Sequence, residues 1–194
     1  NTALFNGPVI MYDTVTMASD LIHSGDTDTK ISFGTNTVTV TAGNVSNIAA
    51  SATGASIPKR KLGKSGSTDG DHDGDVVYFG GTTSMEVGQI YYFTSGGAWA
   101  LADADAESTA KGMLAVALGA ASDTDGMLIR GFVTLDHDPG TIADTLFLHT
   151  TAGQASSTAP SGNGDIVRVI GYCIDSSNGQ IYFNPDGTFV EVTA

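Results

Sequence analysis

The sequence has little positive charge and almost no cysteine. Eight Lys and Arg residues stand against 21 Asp and Glu among 194 residues, which gives a formal net charge of −13. Nucleic-acid binding and docking on anionic membranes both need clustered basic side chains, so the charge balance argues against both partners. Cys173 is the only cysteine, which excludes an intrachain disulfide. No run of 18 apolar residues is present, so we predict no membrane insertion.

Helix-favouring residues are also scarce, because Leu, Lys, Glu, Gln and Arg are all rare in the chain. Charged residues make up 15 % of the sequence, below the ~25 % of an ordinary soluble domain. Small residues take their place, including 25 glycines. This composition is typical of short strands joined by tight turns, and it predicts an all-β protein.

Residues 1–48 show apolar side chains at every second position. In "TKISFGTNTVTVTAGNV" these are Ile31, Phe33, Val38 and Val40, with Thr between several of them. A period of two indicates strands with one buried face. One thin layer of strands buries little apolar surface on its own. We therefore expect this N-terminal β-segment to intertwine with other copies of the chain, as a trimerising element.

Residues 49–74 read as a linker followed by an acidic turn. Small residues dominate "AASATGASIPKRKLGKSGST", which then carries half of the Lys and Arg of the chain: Lys59, Arg60, Lys61 and Lys64. Short runs of like charge are usually solvated, so a flexible connector is the favoured interpretation. Contact with an acidic partner surface is the alternative.

Residues 75–194 predict a β-barrel or sandwich of about eight strands. Turn sequences such as "SGG", "DPG" and "SSNGQ" separate the apolar runs at short intervals. The strands are predicted at Asp75–Phe79, Gln89–Phe93, Met113–Leu118, Met127–Leu135, Thr145–His149, Ile166–Ile174, Gln180–Asn184 and Thr188–Val192.

An internal repeat is predicted in the same region at an offset of 55 residues. Residues 91–93 align with residues 146–148, and residues 112–118 align with residues 167–173. Each half would then contain a strand, a turn, a loop, a further strand and a hairpin. Two such halves could close one barrel by pseudo-symmetry.

The stretch "STDGDHDGDVVYFGG" contains four alternating carboxylates: Asp69, Asp71, Asp73 and Asp75. The first three, with Gly74, match the first half of a calcium-binding EF-hand loop. The twelfth position should be a bidentate Glu, but it is Gly80. We interpret the stretch mainly as the acidic turn where the C-terminal domain begins, and predict no cofactor. A Ca²⁺ site at the aspartates is the alternative.

The sequence offers no convincing catalytic constellation, so we predict that the protein is not an enzyme. His137 lies between Asp136 and Asp138, but neighbouring residues of a strand point to opposite faces. Ser108 and Lys111 match a Ser-x-x-Lys motif whose companion Lys-Thr-Gly is missing. Trp99 and the nearby aromatic residues are more typical of a core than of a sugar-stacking platform.

The stretch "LIHSGDTDTKISFGTNTVTVTAGNV" resembles a short motif of bacteriophage tail-fibre and related virion proteins, especially those of marine phages. The matching positions are His23, Gly25, Asp26, Thr27, Thr29, Ile31 and Phe33. Residues 75–194 are similar to β-domains near the C-termini of such proteins, through pieces such as "GDVVYFGG" and "TAPSGNGDIVRVIGYCID". A looser resemblance links this region to small capsid-decoration barrels.

The resemblance implies a homotrimeric tail-fibre or spike end located in the virion, assembled in the host cytoplasm and exposed on the particle. Its partners would be other virion proteins and a host cell-surface glycan or protein. Loops should carry that binding, and the candidates are "SGGAWALADADAES" and "TAPSGNGD". A capsid-decoration protein, of the cement or head-fibre kind, is the alternative function. A polysaccharide depolymerase is disfavoured, because the chain lacks the repeat of a long β-solenoid.

Overall fold

The computed structural model describes residues 20–23, 26–42, 45–51, 54–56, 62–64 and 66–193. Strands account for 41 % of the structure and helix for 3 %, so the all-β prediction is confirmed. The chain divides into two compact units, Asn1–Lys61 and Leu62–Ala194. No helix in the described ranges has the length and apolar character needed to cross a bilayer.

The first unit contains a five-stranded antiparallel sheet whose strands are neighbours in chain order. Its strands are β1 (Asp20–His23), β2 (Asp26–Gly34), β3 (Thr37–Ala42), β4 (Val45–Ser51) and β5 (Gly54–Ser56). A two-residue turn joins β2 to β3, and Asn36 adopts a positive φ of 61° there. Asn tolerates this left-handed conformation better than most residues, which favours the tight turn.

The second unit is built from eleven described strands and one helical turn. They are β6 (His72–Val77), β7 (Ile90–Phe93), β8 (Trp99–Leu101), α1 (Glu107–Ala110), β9 (Leu114–Ala117), β10 (Met127–Thr134), β11 (Thr145–Leu148), β12 (Ala155–Ser156), β13 (Ile166–Val167), β14 (Val169–Asp175), β15 (Gln180–Phe183) and β16 (Val190–Glu191). Strands β13 and β16 form a separate antiparallel pair.

Nine of these strands form one antiparallel sheet that curls into a half-barrel. The order is β12-β11-β14-β15-β10-β9-β7-β8, and β6 pairs with β10 outside this path. The order reads the same from either end once the two halves of the unit are matched: hairpin, third strand, central strand. The half-barrel and its internal repeat therefore agree with the predicted fold class.

The hydrogen-bond register shows how well the halves match at the predicted offset of 55. Leu128 of β10 lies opposite Val116 of β9. Adding 55 to each number gives Phe183 of β15 and Gly171 of β14, which also lie opposite each other. The repeat thus extends from the sequence to individual residue pairs.

The main core lies between the two halves of the second unit. It collects the inward side chains of both half-sheets, including Ile90, Leu114, Val116, Leu128, Leu146, Leu148, Ile170, Ile181 and Phe183. A smaller cluster around Trp99, Tyr91 and Met127 forms on the other side of the β7–β9–β10 strands. Burial of these side chains at about 25 cal/mol per Å² is the main favourable contribution to folding.

Several element bounds differ from the predicted ones for physical reasons. Strand β6 begins at His72, before the predicted Asp75, and a Cβ at Gly74 would collide with the Arg130 carbonyl of β10. The predicted strand 166–174 is divided at Arg168, whose side chain is buried. The short β8 and β12 were not predicted. The boundary between units falls inside the predicted linker 49–74, where β4 ends and β5 lies.

Candidate functional site

The N-terminal sheet carries a continuous row of apolar side chains on one face. Leu21 of β1, Ile31 of β2 and Val40 of β3 lie directly opposite one another, and Phe33 pairs with Val38 beside them. Residues opposite each other in a sheet share a face. Four of them remain substantially exposed: Leu21 at 55 %, Phe33 at 41 %, Val38 at 40 % and Val40 at 36 %. This set of five side chains is called the apolar face below.

The other face of the sheet is mostly polar. Lys30 and Asp20 form an ion pair on adjacent strands at 3.1 Å. The hydrogen bonds from Lys30 and Ser32 lower the pKa of Asp20. Thr39 lies opposite Ser32 in the same register. The sheet is therefore two-sided, and the side that its own strands leave exposed is the one with apolar side chains.

A cavity of about 320 Å³ opens beside the apolar face. Its lining includes Leu21, Ile31 and Val40, with the Lys30 side chain at one side. A single-layer sheet has no second layer to cover such a surface, and exposed apolar patches in soluble proteins mark interaction sites. This face is the strongest candidate for a functional surface in the first unit.

The acidic stretch uses its carboxylates one at a time. Asp71 accepts a hydrogen bond from the Thr68 N–H at 3.0 Å, and Asp73 accepts one from the Gly63 N–H at 2.6 Å. Asp75 lies opposite Arg130 of β10. Asp69 lines a separate polar cavity near His137. Within the described parts of the chain, no three His, Cys, Asp or Glu side chains are grouped to hold a metal ion.

The position of these aspartates in the sheet indicates what they do instead. Strand β6 lies along one edge of β10, while β9 and β15 pair with β10 at residues 127–128 and 131–134. Charged residues on such a strand discourage edge-to-edge pairing with other chains. The acidic stretch thus opens the second unit's sheet and adds negative charge along β6.

His137 is held by hydrogen bonds on both ring nitrogens. Nδ1 lies 2.6 Å from an Asp136 carboxylate oxygen, and Nε2 accepts the Ala155 N–H at 3.0 Å. Nε2 can accept only when it carries no proton, so the proton is on Nδ1 and is donated to Asp136. The pair joins the segment after β10 to β12, and neither ring nitrogen is free to act on a substrate.

Trp99 is a core residue. Only 4 % of its surface is exposed, and its ring packs 5.0 Å from Phe93 and 5.5 Å from Phe79 between ring centroids. The indole N–H donates to the Phe79 carbonyl at 2.8 Å. Its loop nevertheless contributes to a cavity: Ser95 and Ser108, the first and last residues of "SGGAWALADADAES", both line a space of about 460 Å³.

Arg168 is a buried cation that the sequence did not single out. Its guanidinium donates to the carbonyls of Asp186 at 2.9 Å, Ala110 at 2.5 Å and Gly112 at 2.9 Å. Burial lowers the pKa of this arginine. The side chain connects β13 and β14 to the α1–β9 connection, which the sequence could not reveal because the contact spans more than 50 residues.

Comparison with known protein families, curated proteins and solved structures finds no match. The functional assignment of this chain therefore rests on its own residues and on the geometry described above.

Proposed function

We propose that this chain is a structural component of a phage virion, a homotrimeric tail-fibre or spike end that contributes to host-surface attachment. The observation that carries the proposal is the apolar face of the N-terminal sheet. A sheet one layer thick with such a face is stable only when something covers it. Other copies of the same chain are the simplest cover, because each copy brings an identical apolar face.

A three-fold arrangement suits a face of this shape. Three copies related by rotation close a ring, and each can direct its apolar face toward the common axis. The polar faces with Lys30 and Asp20 then point outward to water. The resemblance of residues 20–45 to phage fibre motifs favours the same trimer, because such segments act as intertwined elements in those proteins.

The attachment role rests on the second unit and on the resemblance of residues 75–194. A rigid β-scaffold with a dense core displays surface loops without losing its fold when those loops vary. The two loops at residues 95–108 and 158–165 are exposed over most of their length. Such loops are the part of a virion protein that can contact a cell surface.

Light scattering on the purified full chain tests the oligomer. We expect a particle of three times the chain mass of 19.8 kDa. Gold-labelled antibodies against the second unit, imaged on intact particles, test the location. Label at the tail tip supports a fibre or spike, and label over the head supports a capsid-decoration protein instead. A monomer that labels neither structure overturns both functions.

A further inference from the structure

A gap opens between β7 and β9 in the first half of the repeat. The last backbone hydrogen bond between the two strands runs from the Phe93 N–H to the Met113 carbonyl at 2.9 Å. Beyond it the two chain segments diverge around the cavity of about 460 Å³. This volume falls within the ~300–1,000 Å³ of small-molecule sites.

The second half of the repeat has the same gap, but there it is filled. Leu148 and Arg168, the counterparts of Phe93 and Met113, make the equivalent last bond at 3.0 Å. The backbone of Ala104 then enters between the strands. Its N–H donates to the His149 carbonyl at 2.9 Å, and its carbonyl accepts the Ile166 N–H at 2.8 Å.

In the first half the corresponding backbone groups are satisfied locally. The counterpart of His149 is Thr94, whose carbonyl accepts the Gly97 N–H of its own turn at 3.0 Å. The counterpart of Ile166 is Lys111, whose N–H donates to the Glu107 carbonyl at 3.0 Å. An added peptide strand binds through free backbone groups, and these two positions offer none. An occupant of this gap must therefore be recognised by side chains.

The side chains around the gap are rich in hydroxyl groups. The hydroxyls of Tyr92, Ser95 and Ser108 have no hydrogen-bond partner among the described residues, and all three residues line the cavity. Lys111 also lines it, and its ammonium group makes only an exposed ion pair with Glu107 at 3.3 Å. The space beside Gly112 is open.

We propose that this cavity binds a single acidic sugar residue, with a carboxylate at Lys111 and ring hydroxyls at Tyr92, Ser95 and Ser108. A sugar ring presents several hydroxyls that both donate and accept, as the three protein hydroxyls do. The lysine ammonium provides a charge-assisted hydrogen bond to the carboxylate. A cell-surface polysaccharide as the source of this sugar rests on the proposed attachment function. The binding itself does not.

Saturation-transfer NMR on the full chain, with galacturonate as the probe and galactose as its neutral match, tests the site. We expect galacturonate to bind with a dissociation constant of about 1 mM and galactose more weakly. Lys111→Gln should weaken galacturonate binding by about tenfold, because a charged hydrogen bond is lost. The same variant should leave galactose binding unchanged. Ser95→Ala combined with Ser108→Ala should weaken both sugars.

Lys64→Gln is the matched control, since Lys64 is also an exposed lysine in an ion pair, with Asp175, away from the cavity. It should bind galacturonate as the unchanged protein does. Absence of saturation transfer at about 10 mM probe, or equal loss in the Lys64 and Lys111 variants, overturns the proposal. A monomeric protein that still binds galacturonate refutes the trimer alone, and a trimer that does not bind refutes this site alone.

Discussion

Placing two carboxylates on the apolar face should dissociate the proposed trimer. Val38 and Val40 alternate along β3 and point to the same face, so the double variant Val38→Asp, Val40→Asp changes that face only. Thr39 lies between them and points to the polar face. Thr39→Asp is therefore the matched control, with an aspartate in the same strand.

The size of the effect follows from the exposed fractions. Full burial of an apolar side chain contributes about 1.5–3 kcal/mol. The four exposed side chains of the apolar face keep roughly a third to a half of their surface in the single chain. Covering each one then contributes about 1 kcal/mol, or about 12 kcal/mol for three chains. The double variant removes about half of this and adds six carboxylates that would be costly to bury.

Association itself costs an estimated 4–15 kcal/mol in lost freedom of motion. Losing about 6 kcal/mol therefore moves the trimer from stable to dissociated at micromolar chain concentration. Light scattering across a dilution series measures this change directly. Persistence of the trimer in the double variant would refute the role of the apolar face. Equal dissociation by Thr39→Asp would show that any charge in β3 suffices.

Three further predictions concern the second unit. Trp99→Ala should lower the free energy of unfolding by about 3–5 kcal/mol in urea titrations, and an unchanged midpoint would contradict its core role. Arg168→Met should cost about 3 kcal/mol, because three carbonyls lose their donor, and Arg168→Lys should recover only part of that loss. Hydrogen bonds from the Thr141 N–H and hydroxyl lower the pKa of Asp144, so its contribution to stability is present above the unfolded pKa of about 3.9 and is lost as pH falls through the lower folded pKa. Asp144→Asn should therefore show a smaller loss of urea midpoint between about pH 5 and pH 2 than the unchanged protein, and an identical loss would contradict this reasoning.

Local patterns in the sequence predicted most of the strands. The alternation of Ile31, Phe33, Val38 and Val40 reports directly which side chains share a face, because a strand has a period of two. The 55-residue offset was readable for a similar reason, since matched strands keep matched apolar positions. Strands β8 and β12 escaped prediction because two or three residues are too short to show a period.

Contacts between distant segments could not be read from the sequence. Arg168 looked like one basic residue within an apolar strand, and its three carbonyl partners lie 18 to 58 positions away. The cavity beside β7 depends on where Ala104 lies in the other half of the repeat. The aspartates of the acidic stretch suggested a shared cation, but strand pairing and turn geometry place Asp69 apart and give Asp71 and Asp73 backbone partners.

The mirrored strand order has a consequence for how this domain can change. Where β10 meets β15, two half-sheets join edge to edge, as the subunits of a homodimer would join. The second unit thus has the architecture of a dimer whose subunits share one covalent chain. Identical subunits must accept every substitution twice, whereas tethered copies accept each one separately. One copy can therefore keep its gap closed by Ala104 and preserve the scaffold, while the other leaves its gap open and is free to acquire a ligand.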